Sequence, residues 1–336
     1  MENFVPDYLQ HQFNLYDRSP KTNILHSCNY AEKVLSIDNQ ANCFLCTCDA
    51  WLPVSVGNIM DFDSLGSVWE SERANKLQQD LQNKNFTYCS VDYCGIRDNN
   101  MLMPKSWIGI NIDESCNLRC PSCRSTAINF TSGNIYENKL RWSNHISRLL
   151  SEYDEPCTIN MSGNGDPFAS MIYRPLILKT KPRPNHEYRF MTNGLLLKKL
   201  LPKTSIFPVI HEYNISVDAG NKETYEKVRL GGKWEILTDN VKWLTENVHQ
   251  RIYINFVVQK DNWKSLLDFE EWISRLGVNG RLTRLEDWAT FDFTKNNVLH
   301  EKHPEYHDCM RSLKKLSYNK LIFQNSLDKM LDNYSG

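Results

Sequence analysis

Three cysteines, Cys116, Cys120 and Cys123, lie in the run Cys-Asn-Leu-Arg-Cys-Pro-Ser-Cys, directly after a strand-like segment at 107–113. Three thiolates this close together can hold three irons of a [4Fe–4S] cube and leave the fourth iron without a protein ligand. An open metal position separates a working site from a closed structural one. Such an iron can chelate a small molecule through an amine and a carboxylate. On the triad alone, a zinc knuckle is the competing assignment.

Eight further cysteines complete a count of 11. Cys28, Cys43, Cys46, Cys48, Cys89 and Cys94 precede the triad, whereas Cys157 and Cys309 stand apart. The opening Met-Glu-Asn-Phe-Val-Pro-Asp has no basic region leading into an apolar stretch, so it is not a secretory signal. The expected location is the cytoplasm, where clustered thiols bind metal rather than pair as disulfides. Four ligands close a cube, so the six upstream cysteines suffice for one auxiliary cluster with two left over. Tetrahedral zinc is the alternative at these spacings. Cys157 is expected to be a small buried hydrophobe, and Cys309 a candidate ligand from the tail. The histidines form no ligand pattern.

The chain of 336 residues has 39 Lys plus Arg against 40 Asp plus Glu, a net charge of -1. That balance gives no electrostatic case for nucleic acid or an anionic membrane as the main partner. No run approaches the roughly 18 apolar residues needed to span a bilayer. Residues 1–27 read as an irregular lead-in. Residues 28–100 form a cysteine-rich domain with one amphipathic helix, on which Leu65, Val68, Trp69, Ala74, Leu77 and Leu81 recur at helical spacing behind an Asp63 or Ser64 cap.

From residue 101 to 290 the pattern becomes strand, loop, helix, repeated. Apolar runs at 107–112, 158–161, 188–191, 213–217, 252–258 and 281–285 read as buried parallel strands. Helical segments lie near 136–152, 194–201, 222–230, 234–247 and 262–276. Six βα units in order imply an α/β fold, a partial (βα)6 TIM-like barrel with its chemistry at the C-terminal strand ends. Residues 291–336 read as a helical tail, with its helix near 309–332.

Beyond the triad, the loops at the expected strand ends carry further motifs. Ser162-Gly163-Asn164-Gly165-Asp166-Pro167 follows the second strand, Thr192-Asn193-Gly194 the third, and Ser216-Val217-Asp218 with Glu223-Thr224-Tyr225 and Arg229 the fourth. Together with Cys-x3-Cys-x2-Cys, these stretches resemble the radical S-adenosylmethionine superfamily. The resemblance implies a [4Fe–4S] cluster on Cys116, Cys120 and Cys123, and an S-adenosylmethionine site on Gly163, Asn164, Gly165, Asp166, Pro167, Asn193, Ser216 and Asp218. Asp166 stands where many members have Glu, and would receive the methionine amino group. Ser122 stands where members usually carry a large apolar residue near adenine, so that packing role is not carried over. Gln259 and Asn262 close the fifth strand, and Arg119 and Arg124 flank the cysteines.

Val56-Gly57-Asn58-Ile59, Ser64-Leu65, Val68-Trp69 and the pair Cys89 and Cys94 are similar to the SPASM or twitch extension of radical maturases. There it follows the barrel; here it precedes it, and Cys43-x2-Cys46-x-Cys48 is tighter than usual. The resemblance implies an enzyme that reductively cleaves S-adenosylmethionine to a 5′-deoxyadenosyl radical and abstracts hydrogen from a substrate. An electron donor such as flavodoxin or ferredoxin is its implied partner. A peptide or protein side chain is the favoured substrate, with a carbohydrate, nucleotide or other small molecule as the alternative. A non-catalytic zinc- or cluster-binding module is the reading from another class.

Overall fold

The computed structural model describes residues 5–15, 24–48, 51–90, 94, 96, 99–162, 165–287, 290–324 and 327–334. Its centre is a run of six parallel strands in sequence order: β4 (Ser106–Ile110), β5 (Cys157–Met161), β6 (His186–Thr192), β7 (Ile210–Ser216), β8 (Arg251–Val258) and β9 (Asn279–Arg284). Each pairs with the next in parallel. This is the expected α/β order of a partial barrel. The six sequence segments match these strands to within three residues at either end.

Three strands were not legible beforehand. β1 (Val34–Ile37) pairs in parallel with β4, and β2 (Asn42–Phe44) and β3 (Ser55–Asn58) extend the sheet antiparallel beyond it. The cysteine-rich segment is therefore stitched to the strand that precedes the triad. The helix expected across 65–81 divides into Leu65–Trp69 and Glu72–Gln82. Ser71 has an extended backbone and its hydroxyl accepts the Ala74 N–H, so it caps a second helix instead of continuing the first. Ser64 caps the first.

The tail also departs from expectation. Helices Tyr306–Lys314 and Leu327–Asn333 flank a short strand, β10 (Leu321–Phe323), parallel to β9. The Glu270 carboxylate accepts the N–H groups of both Ser317 and Tyr318, drawing the chain out of the helix. The β-prone run Leu321-Ile322-Phe323 then adds to the free sheet edge.

The strands are not apolar throughout; they alternate. Ile108, Ile110, Ile159, Met161, Tyr188, Phe190, Tyr213, Ile215, Ile254 and Phe256 are fully buried, on the face covered by helices. Phe256, for example, meets Phe269 of helix Leu266–Leu276 with ring centroids 4.9 Å apart. The opposite face is polar: Gly109, Asn160, Arg189 and Glu212 stand in register across four strands, followed by Ser216, Asn255 and Arg281. Arg281 lies 3.4 Å from the Tyr253 ring centroid and pairs with Glu212 at 3.3 Å. A polar concave face is what a site for a polar ligand requires, and it accounts for the departure from uniform apolar strands.

Cys157 and Cys309 are both fully buried. Cys309 packs in the core from helix Tyr306–Lys314. Burial pushes both thiols up to about 12 from an ordinary 9.0. The folded protein keeps these protons while the unfolded chain loses them, so stability falls as pH rises above about 9. Equilibrium urea denaturation from pH 8 to 10.5 should show this fall, reduced in a Cys157→Ala, Cys309→Ala double variant. Among the described residues no helix is long and apolar enough to cross a membrane.

Candidate active site

The triad occupies the loop leaving β4. The Cys116 N–H donates to the Ile128 carbonyl at 2.9 Å, and the N–H groups of Cys123 and Arg124 both donate to the Cys120 carbonyl, at 2.9 and 3.1 Å. That turn brings Cys120 and Cys123 together. Every sulfur has a donor beside it. Cys116 Sγ accepts the Leu118 N–H at 3.4 Å and faces the Asn193 amide at 3.8 Å. Cys120 Sγ faces the Arg229 guanidinium at 3.7 Å, and Cys123 is hydrogen-bonded by Arg124. Burial pushes the Cys116 thiol up to about 11. It also raises Cys120, against the pull of Arg229. Ligation by a cation would remove these protons.

The loop after β5 is locked onto the triad loop. A Cβ on Gly165 would stand 2.3 Å from the Ser115 carbonyl oxygen and 2.6 Å from the Glu114 carbonyl carbon, both backbone atoms that cannot turn aside. The Asp166 N–H donates to that same Ser115 carbonyl at 2.9 Å. Gly165→Ala must push the two loops apart, at a cost of about 1–3 kcal/mol. The lowered urea midpoint should be accompanied by lower iron retention.

Asp166 is buried and fully engaged. One carboxylate oxygen accepts the N–H groups of Phe168 and Ala169, at 3.0 and 3.1 Å. The other accepts the Thr192 hydroxyl and the Asn193 N–H, both at 2.7 Å. Burial raises this carboxyl, while the four donors hold it down. Asp166 thus clamps the β5 loop to the end of β6. The Asn193 amide it positions donates to the Asn117 side chain at 2.8 Å, within the triad loop.

A second clamp lies at the end of β7. Asp218 has a left-handed backbone, φ 57°. It pairs with Arg229 at 2.6 Å and accepts the Val257 N–H at 2.8 Å. The Asn262 amide donates to the Asp218 carbonyl at 3.0 Å. Burial raises the Asp218 carboxyl and Arg229 pulls it back. The pair holds a cation against the Cys120 sulfur. Ser216, one turn of the loop earlier, is half-buried on the polar face.

Residues 110–273 match the family described as Radical SAM superfamily. Residues 110–273 carry a radical SAM domain. The cofactors of that superfamily are a [4Fe–4S] cluster and S-adenosylmethionine. Among curated proteins the chain is similar to a probable GTP 3′,8-cyclase of Methanococcus maripaludis, 24% identical over 171 residues, covering 50% of this chain and 55% of that protein. A probable GTP 3′,8-cyclase of Saccharolobus islandicus is 23% identical over 176 residues, covering 52% and 55%. The chain spans about half the length of these relatives. Among solved structures it is similar to Streptococcus suis SuiB bound to precursor peptide SuiA, with a TM-score of 0.43, 13% identity, and 78% and 55% of the two chains covered.

The triad fits an iron–sulfur cube: three thiols on one loop, each beside an N–H group or guanidinium that favours anionic sulfur. Among the described residues no group of three or more His, Cys, Asp or Glu is set to hold one metal ion. A cube makes a different demand, since each thiolate takes its own iron. Gly163 and Asn164, expected at the cofactor, lie outside the described residues. Gly165, Asp166, Asn193, Ser216 and Asp218 gather around the triad loop and its neighbouring strand ends, and Pro167 is buried behind Asp166. Of the flanking arginines, Arg124 reaches Cys123, whereas Arg119 is exposed.

Sequence reasoning missed how Arg229 acts. Arg229 stands within a motif, but nothing local places it on a sulfur far back in the chain. Lys139 gave no signal either. It is buried on helix Gly133–Glu152, and its ammonium donates to the Asn39 and Ile112 carbonyls at 2.9 and 2.6 Å, joining the β1–β2 turn to the start of the triad loop.

In the N-terminal segment Cys28, Cys46, Cys48 and Cys94 are electrostatic neighbours. The Ser90 N–H donates to the Trp51 carbonyl at 2.8 Å, bringing together the loops that carry Cys48 and Cys89. Cys43 is fully buried on β2, and its charged neighbours are Asp38 and Asp61.

Proposed function

We propose that this chain is a radical S-adenosylmethionine enzyme whose cluster sits on Cys116, Cys120 and Cys123. The observation that carries this reading is the triad loop, with a donor at each sulfur and two buried carboxylate clamps holding the neighbouring strand ends around it. When bound, the cluster and S-adenosylmethionine supply reductive cleavage to a 5′-deoxyadenosyl radical, which takes hydrogen from the substrate. The electron comes from a donor of the flavodoxin or ferredoxin class. The protein's part is positional. Arg229 and Arg124 place positive charge at the sulfurs, Asn193 fixes Cys116 relative to the β6 end, and the polar strand face receives the ligand. Gly163, Asn164, Gly165, Pro167 and Ser216 are assigned to the cofactor. Asp166 and Asp218 are assigned to holding its surroundings.

An auxiliary iron–sulfur centre is assigned to Cys28, Cys46, Cys48 and Cys94, which share one neighbourhood, with Cys89 on the adjoining loop. Cys43 is assigned to the core. Iron content per chain, compared between wild type, Cys43→Ser and Cys46→Ser, tests this division: Cys46→Ser should lose iron and Cys43→Ser should not.

For the substrate, the SPASM-like segment favours a peptide side chain. The similarity to two probable GTP 3′,8-cyclases favours a nucleotide, and we adopt the nucleotide. Reduced, cluster-loaded protein should form 5′-deoxyadenosine together with a mass-altered product when supplied with S-adenosylmethionine and GTP. Enhancement by a peptide and none by GTP would reverse the choice.

A further inference from the structure

Past the end of β8 the chain forms a groove of about 660 Å³. Three cations line it, Lys260, Lys295 and Lys302. Lys260 lies two residues beyond the last residue of β8, on the C-terminal rim where the cofactor loops also emerge, and its N–H is tied to the Asn296 carbonyl at 3.0 Å. The groove is thus built between that rim and the segment following β9.

Its hydrogen-bonding inventory is one-sided. An ammonium group donates and never accepts. His300 and His303 also line the groove, and both are fixed by their Nδ1 atoms. His300 Nδ1 accepts the Lys302 N–H, and His303 Nδ1 accepts the Glu305 N–H, each at 3.2 Å. A ring that accepts at Nδ1 can donate only through Nε2. Thr294 adds a hydroxyl. The one carboxylate in the wall, Glu305, is already paired with Lys264 at 3.0 Å and hydrogen-bonded by the Trp263 indole at 3.5 Å. Three ammonium groups beside a carboxylate that is already paired favour an anionic ligand. A polyphosphate chain is such a ligand, and lysines are good point-charge partners for it.

We infer that this groove binds the polyphosphate group of a nucleotide. The volume is in the range of small-molecule sites. The inference rests on the proposed function only for the source of the phosphate, because the binding itself needs neither cluster reduction nor cofactor cleavage.

The test is calorimetric titration of the cluster-loaded protein with inorganic tripolyphosphate, and in parallel with a nucleoside triphosphate and an oligoglutamate peptide. Saturable tripolyphosphate binding is expected, weakened about tenfold or more in the K295E/K302E variant and by added salt. The K199E/K203E variant, with the same change of net charge on another exposed surface, should bind like wild type. Tighter binding of the nucleoside triphosphate than of tripolyphosphate supports a nucleotide. Absence of saturable binding, equal weakening in both double variants, or preference for oligoglutamate overturns the inference. Failure here leaves cofactor cleavage untouched, so the two proposals fall separately.

Discussion

Asp166→Asn is expected to lower unfolding stability by about 1–3 kcal/mol. The carboxylate satisfies four buried donors, two at each oxygen. Asparagine keeps one oxygen and replaces the other with an amide NH2, which has no lone pair to offer. With the NH2 toward Thr192 and Asn193 the hydroxyl can turn to accept, so the Asn193 N–H is left facing another donor in a dry site. Each buried unsatisfied donor costs about 1–3 kcal/mol. The loss should appear as a lowered urea midpoint in the cofactor-free protein. Had Asp166 been held ready for the methionine amino group, as its place in the motif implies, the variant would keep its stability and lose affinity for S-adenosylmethionine. Unchanged stability with weakened cofactor binding would overturn the clamp.

Asp218→Ala should be costlier at the cluster. It leaves Arg229, whose side chain is 14% exposed, without its carboxylate partner. Removing one member of a buried pair costs roughly 3–5 kcal/mol, because the remaining charge stays uncompensated. The Val257 N–H loses its acceptor too. Alanine is also poorly suited to the left-handed backbone at this position, whereas asparagine tolerates it. Asp218→Asn should therefore retain more stability than Asp218→Ala, although neither restores the ion pair. Arg229→Gln breaks the same pair from the other side, and its distinguishing readout is the cluster potential. A cation beside the sulfur favours the more negative, reduced cluster, so its removal should shift the midpoint potential downward in a spectroscopic redox titration. An unchanged potential would show that Arg229 does not act on the Cys120 sulfur.

These two clamps mark the boundary of what the sequence discloses. The triad, the six strands and their helices are written locally: thiols at short spacing, apolar runs between loops, and glycine where the β5 loop crosses the backbone at Ser115. What joins them is not local. Asp166 meets Thr192 and Asn193 across the gap between two strand ends, and Arg229 reaches Cys120 from the helix Lys222–Val228 side of the barrel. The motif singles out Asp166 and Asp218, but a motif carries no information on whether a carboxylate points toward a ligand or toward its own chain. Strands β1, β2 and β3, of only three or four residues each, are too short to show a period. Their pairing depends on β4 being there already. The tail misled for a similar reason: Glu270, on a different helix, ends the helix that the apolar pattern would have continued.

The central claim is that Cys116, Cys120 and Cys123 carry a cluster that cleaves S-adenosylmethionine. Its most direct test is 5′-deoxyadenosine formation by anaerobically iron-reconstituted, reduced protein, compared between wild type and Cys120→Ala. The account predicts formation by the wild type and a fall to background in the variant. Formation at an unchanged rate in Cys120→Ala would contradict it.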